Sequence, residues 1–214
     1  MKYKKLKLLS TSLFTFWCLA ACATSSTTTE SNDKEGVTSS VENSPTTSSV
    51  YQREYQFGDI GPSGGRIFFV SNDVQPWGKY LEAFPETGGS YPADGYLEWG
   101  CYGKLEIGET GLKISEGRSN TDLAVLNGCN ENVRGKSSIF GKIPDGSDWY
   151  LPSLAEMNEL MKLDREQSIE MGFGDSMYWT SSSDDPTSAW TTNGETMEKA
   201  DKSDSYAYWL IRNF

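Results

Sequence analysis

The chain has 214 residues, 19 basic and 30 acidic side chains for a formal net charge of −11, and no histidine. Its length allows one domain with additional segments, and its acidity excludes a nucleic-acid groove or bulk-charge adhesion to anionic lipid and sulfated glycan, which need a basic footprint. The absence of histidine removes Ser-His-Asp and Cys-His machinery and the commonest acid–base residue near neutral pH.

Residues 1–21 read as an export signal. Lys2, Lys4, Lys5 and Lys7 form a positive start, and residues 8–19 a short, mostly apolar run. That run falls short of the roughly 20 residues a helix needs to span a bilayer core. It ends in Leu19-Ala20-Ala21-Cys22, which resembles the lipobox of bacterial lipoproteins. The resemblance implies cleavage before Cys22, acyl chains on its thiol, and a domain held outside the cytoplasm on the cell membrane or outer membrane. Each buried methylene contributes about 0.8 kcal/mol, so two or three chains anchor firmly. The other reading is an ordinary secretory signal. Loss of the four lysines takes the net charge from −11 to −15.

Residues 22–50 follow as a tether. Fifteen of the 28 residues from 23 to 50 are Ser or Thr and none is aromatic. Such a segment buries too little apolar surface to offset its ordering entropy. As a flexible coil it spans about 30 Å on average.

Residues 51–214 carry six of the seven tryptophans and read as the folded domain. Here 14 basic and 26 acidic residues leave −12. Gly61, Pro62, Gly64 and Gly65 precede the apolar run 66–70, which reads as a buried central strand. Turn residues break any period over 71–111, with short strands at 80–83 and 97–99. A first helix starts at Ser119 as N-cap with Asp122 three residues on, and Gly128 stops it. A second starts at Ser153, whose capping box is completed by Glu156. Leu154, Met157, Leu160 and Met161 face the core, while Glu156, Glu159 and Lys162 face water. Strands follow at 177–183, 189–193 and 205–214, the last reading as interior and beside the first strand.

The ordered motifs GDIGPSGGRIFFV, EWGCYG, NTDLAVLNGC, SDWYLPSLAEMNELM, YWTSSS and YWLIRNF resemble the Lcl C-terminal domain family, also called DUF1566, over residues 55–214. That family is similar in architecture to C-type lectin-like domains. The resemblance implies an α+β fold with two helices, a mainly antiparallel sheet, paired N- and C-terminal strands and long irregular loops. Its named member is part of a collagen-like adhesin that binds glycosaminoglycans; this chain has no collagen repeat. The implied function is non-catalytic binding of a glycan or protein at the cell surface, in the manner of an adhesin. The alternative is a structural or assembly lipoprotein of the envelope. The oligomeric state stays open.

Ligand residues are expected among the long loops. Trp77, Trp99 and Trp149 are candidate sugar platforms, with burial in the core as the competing role. Asp148, Asp184 and Asp185 are candidate polar contacts. Asp184 and Asp185 are also the residues on which calcium would sit, since hard cations take oxygen ligands; solvated acidic loops are the alternative. With Cys18 removed and Cys22 acylated, Cys101 and Cys129 remain as an even pair in an exported protein, expected as a disulfide rather than two free thiols. A hydrolase is disfavoured. The adjacent acids Asp184–Asp185, Asp145 with Asp148, and Glu156 with Glu159 would have to face one another across a cleft at about 5–10 Å.

Overall fold

The computed structural model describes residues 53–85, 95–104, 107–130, 136–144 and 146–214. The export signal, Cys22, the tether, Asp145 and part of the expected ligand loops (86–94 and 105–106) lie outside the described residues. The fold is α+β, with antiparallel sheets and two helical regions. In chain order it runs β1 (Ile67–Gln75), β2 (Gly78–Ala83), β3 (Leu97–Glu98), α1 (Gly117–Leu126), α2 (Leu154–Leu160), α3 (Lys162–Gln167), β4 (Tyr178–Ser183), β5 (Ser188–Thr192), β6 (Met197–Asp201), β7 (Ser205–Tyr206) and β8 (Ile211–Asn213). Among the described residues, no helix is long and apolar enough to cross a membrane.

β1 and β2 form a hairpin closed by Pro76 and Trp77, with Gln75 opposite Gly78. Gly78 has φ +116, and a Cβ there would lie 2.4 Å from the Phe214 carbonyl oxygen. That oxygen accepts from the Lys79 and Tyr80 amides, so only glycine lets Phe214 dock on the turn. The sheet order is β1-β2-β8, so β2 is central and β1 is an edge strand. This corrects both the central placement of 66–70 and the pairing of first and last strands. The cause is a bulge: from Ile67 to Phe69 β1 advances two residues while β2 advances one. Ile67 and Phe68 are thereby both fully buried although the strand is paired on one side only.

The apolar C-terminal run has a different cause. Ala207, Trp209 and Ile211 pack into one core cluster with Phe68, Leu81 and Met157. Tyr208 and Leu210 point into a second, with Trp99, Leu151 and Trp179. An extended segment between two cores is apolar on both faces without being central in a sheet. Of this run, only 205–206 and 211–213 are strand.

β4, β5 and β6 form a second antiparallel sheet in sequential order, and β3 pairs with β7. β6 falls where the sequence shows only a turn-rich joint. Its residues are mostly exposed and charged, as suits an edge strand.

α1 starts at Gly117, two residues before Ser119, with Glu116 at the N-cap and no side-chain cap. Ser119 Oγ instead donates to the Glu116 carbonyl. Gly128 ends the helix at φ +74. The second helical region matches its capping box: Ser153 Oγ accepts from the Glu156 amide, and Glu156 Oε2 accepts from the Ser153 amide at 2.8 Å. It continues past Met161 into α3. Glu156 corrects its sequence placement, because it is fully buried rather than facing water.

Candidate functional site

Trp77, Asp148 and Trp149 meet around α1, and Trp99, Asp184 and Asp185 do not join them. One face of α1 presents Arg118, Asp122 and Val125, spaced three and four residues apart. Opposite it, Phe140, Ile143 and Trp149 close a cavity of about 460 Å³. A second cavity of about 360 Å³ is lined by Trp77, Ser115, Ser119 and Asp148, and shares Arg118 and Asp122 with the first. The two make a groove with a tryptophan on either side of a polar centre.

Each part of this groove is held from behind. Trp149 is half-buried, edge-on to Phe84 at 4.8 Å, with the Arg212 guanidinium 5.6 Å from its ring. Trp77 is half-buried beside Phe69 at 6.2 Å. The Arg118 guanidinium donates to the carbonyls of Ser147 and Asp148, lies 3.9 Å from the Asp148 carboxylate and stacks 4.9 Å from the Tyr150 ring centre. Asp148 is exposed and faces a guanidinium rather than loop amides. Arg118 and Asp122 are not legible as site residues in the sequence. Asp122 there looks like a capping partner, and nothing local ties Arg118 to the loop 30 residues on.

Glu156 fixes the floor beneath the second cavity. Its oxygens accept from the amides of Ser153 at 2.8 Å and Ser115 at 2.9 Å, and Ser115 sits at φ +77. Burial pushes its pKa up to about 7, against the pull of the Ser153, Ser115 and Gly117 amides. A raised folded-state pKa gives stability that is full below the unfolded value of about 4.5 and lost as pH rises through about 7. Denaturant midpoints should therefore fall between pH 4.5 and 7.5, and Glu156→Gln should flatten that fall. An unchanged slope in the variant would refute the assignment.

Trp99 corrects its role as a sugar platform: it is fully buried, and its indole N–H donates to the Thr180 carbonyl at 2.8 Å. Its ring covers an internal cation. Lys202 Nζ lies 4.4 Å from the ring centre, donates to Ser183 Oγ at 2.7 Å and to the Asp185 carbonyl at 2.6 Å, and is fully buried. Burial lowers its pKa to about 8. The two acids nominated for calcium are already engaged. Asp184 pairs with Lys199 at 2.9 Å. Asp185 accepts from the amides and hydroxyls of Thr187 and Ser188, four bonds that hold its carboxyl far below the usual range. Among the described residues no three His, Cys, Asp or Glu converge.

Of the paired acids considered for hydrolysis, Asp145 lies outside the described residues, and Asp184 and Asp185 have the partners given above. Glu156 is interior, and Glu159 is bound by Lys162 at 2.7 Å. The Ser183–Lys202 contact has the spacing of a Ser–Lys nucleophile. However, Ser183 is 1% exposed and both groups donate to the same Asp185 carbonyl, which is a packing arrangement. The expected disulfide is present, joining Cys101 to Cys129. No protein-family model and no curated protein matches the chain, so the groove around Arg118 and Asp122 is defined by its own geometry alone.

Proposed function

We propose that this chain is an exported, lipid-anchored surface protein whose lectin-like domain binds a glycan or protein ligand without catalysis. The signal ending in Leu19-Ala20-Ala21-Cys22 and the Ser/Thr tether support the anchoring. The observation that carries the binding reading is the groove with Trp77 and Trp149 on either side of Arg118, Asp122 and Asp148. Flat aromatic walls around a few polar groups suit a pyranose ring, whose apolar face stacks while its hydroxyls bond outward.

The test is a glycan array with the full chain in detergent, in calcium and then in EDTA. Saturable binding that survives EDTA is the expected result, since Asp184 and Asp185 already have partners. Trp149→Ala should weaken it about tenfold, a loss of about 1.4 kcal/mol in stacking. Binding abolished by EDTA would move the site to the 183–188 loop. A blank array on folded protein would favour the second reading, a role in envelope assembly. That reading rests on the exposed apolar residues of α1, where Leu126 is 83% exposed beside Leu123 and Val125, with Leu126 and Val125 at the edge of the first cavity.

A further inference from the structure

The groove's charges are unequal. Arg118 is the one cation among the residues that line either cavity, and its charge is used within the chain. It is held by the carbonyls of Ser147 and Asp148, by the Asp148 carboxylate and by the face of Tyr150. Asp122, four residues further along α1, fronts both cavities and is exposed, and its side chain has no hydrogen-bond or ion-pair partner among the described residues.

These features favour the same kind of ligand. An ionised carboxylate only accepts hydrogen bonds, so the group that meets Asp122 must be a donor. The tryptophan rings on either side carry negative faces that attract cations. Residues 51–214 hold a net −12, a field that concentrates cations at the surface and repels anions. With Arg118 already engaged, no other described residue that lines the two cavities offers a carboxylate or sulfate a counter-charge.

Resting on the glycan reading of the groove, we propose that its ligand is an amino sugar with a free ammonium group, a hexosamine that is not N-acetylated. The ammonium pairs with Asp122 while the pyranose face lies on Trp149 or Trp77. N-acetylation removes the charge and adds bulk at the carboxylate.

The test compares a fully deacetylated glucosamine tetramer with the N-acetylglucosamine tetramer, by calorimetric titration of the full chain in detergent at pH 6. The deacetylated tetramer should bind at least tenfold tighter at low salt, and its advantage should shrink in 0.5 M salt. Asp122→Asn should bring the two oligomers to near parity without moving the melting temperature, because Asp122 holds nothing in the fold. Trp149→Ala should weaken both. Equal or tighter binding of the N-acetylated tetramer overturns the proposal, as does an Asp122→Asn variant that keeps the preference. Tetralysine binding as tightly as the deacetylated tetramer also overturns it, since charge alone would then be read. If neither tetramer binds while a neutral glycan does, the amino-sugar assignment fails and the glycan groove stands. If no sugar binds at all, both fail.

Discussion

Replacing Glu82 with alanine should destabilise the domain by about 3–5 kcal/mol, the usual cost of leaving one partner of a buried ion pair alone. Glu82 sits fully buried in the central strand β2. Its Oε2 accepts from Arg212 Nε at 2.8 Å, and its Oε1 from the amides of Ser63 and Gly65 at 2.9 and 3.0 Å. One carboxylate thus ties the glycine-rich entry turn, β2 and β8 together. Gly61 is shaped around it, since a Cβ there would lie 2.5 Å from the Glu82 carboxyl carbon, while a Cβ on Gly65 would strike the Ala83 carbonyl. Alanine would strand the Arg212 guanidinium, whose side chain is 17% exposed, and orphan two amides. A domain of this size loses about 2–4 °C per kcal/mol, so calorimetry should show a fall of about 10–15 °C. Glu82→Gln, which keeps shape and one acceptor, should fall between. A melting temperature within 2 °C of the parent would refute this role for Glu82.

The second large effect is loss of the Cys101–Cys129 bridge. With a sequence separation of 28 between the two positions, the chain-entropy model assigns it about 3–4 kcal/mol. It fastens the segment after β3 to the end of α1, and both cysteines lie within the core cluster that holds Trp99 and Leu151. Cys101→Ser with Cys129→Ser should lower the melting temperature by about 10 °C and weaken the glycan binding proposed for the groove, because Asn130 next door lines the first cavity. A reduced sample that melts with the oxidised one would contradict it.

Local signals in the sequence were legible where a few adjacent residues settle the outcome. The capping box at Ser153 and Glu156, the Gly128 stop, β4 and β5 all depend on neighbours within a turn or a strand. The cysteine pair followed from counting. What stayed hidden depends on partners far along the chain. Glu156 looks like a solvent-facing helix residue until the Ser115 amide, 41 positions earlier, closes over it. The stretch 205–214 reads as a central strand because apolar residues on both faces have two explanations, two neighbouring strands or two cores, and periodicity alone does not separate them. β6 alternates too weakly to announce itself, since its fifth-strand neighbour covers one edge and water the other. The groove is the extreme case. Trp77, Asp148 and Trp149 were identifiable by type, but Arg118 and Asp122 join them only once α1 is laid against the 140–149 segment.

The position of β2 between β1 and β8 has a consequence for how the molecule is made. Leu81, Glu82 and Ala83 must wait for Asn213, Arg212 and Ile211, about 130 residues later, before their second edge is covered. Closing a loop of that length costs entropy before any contact rewards it, so sheet closure should be the slow step of folding. A chain delivered N-terminus first exposes the open edge of β2 and the empty place for Arg212 throughout its delivery. During that interval the strand is a template for pairing with other chains, and the β1–β2 hairpin is where misassembly would begin.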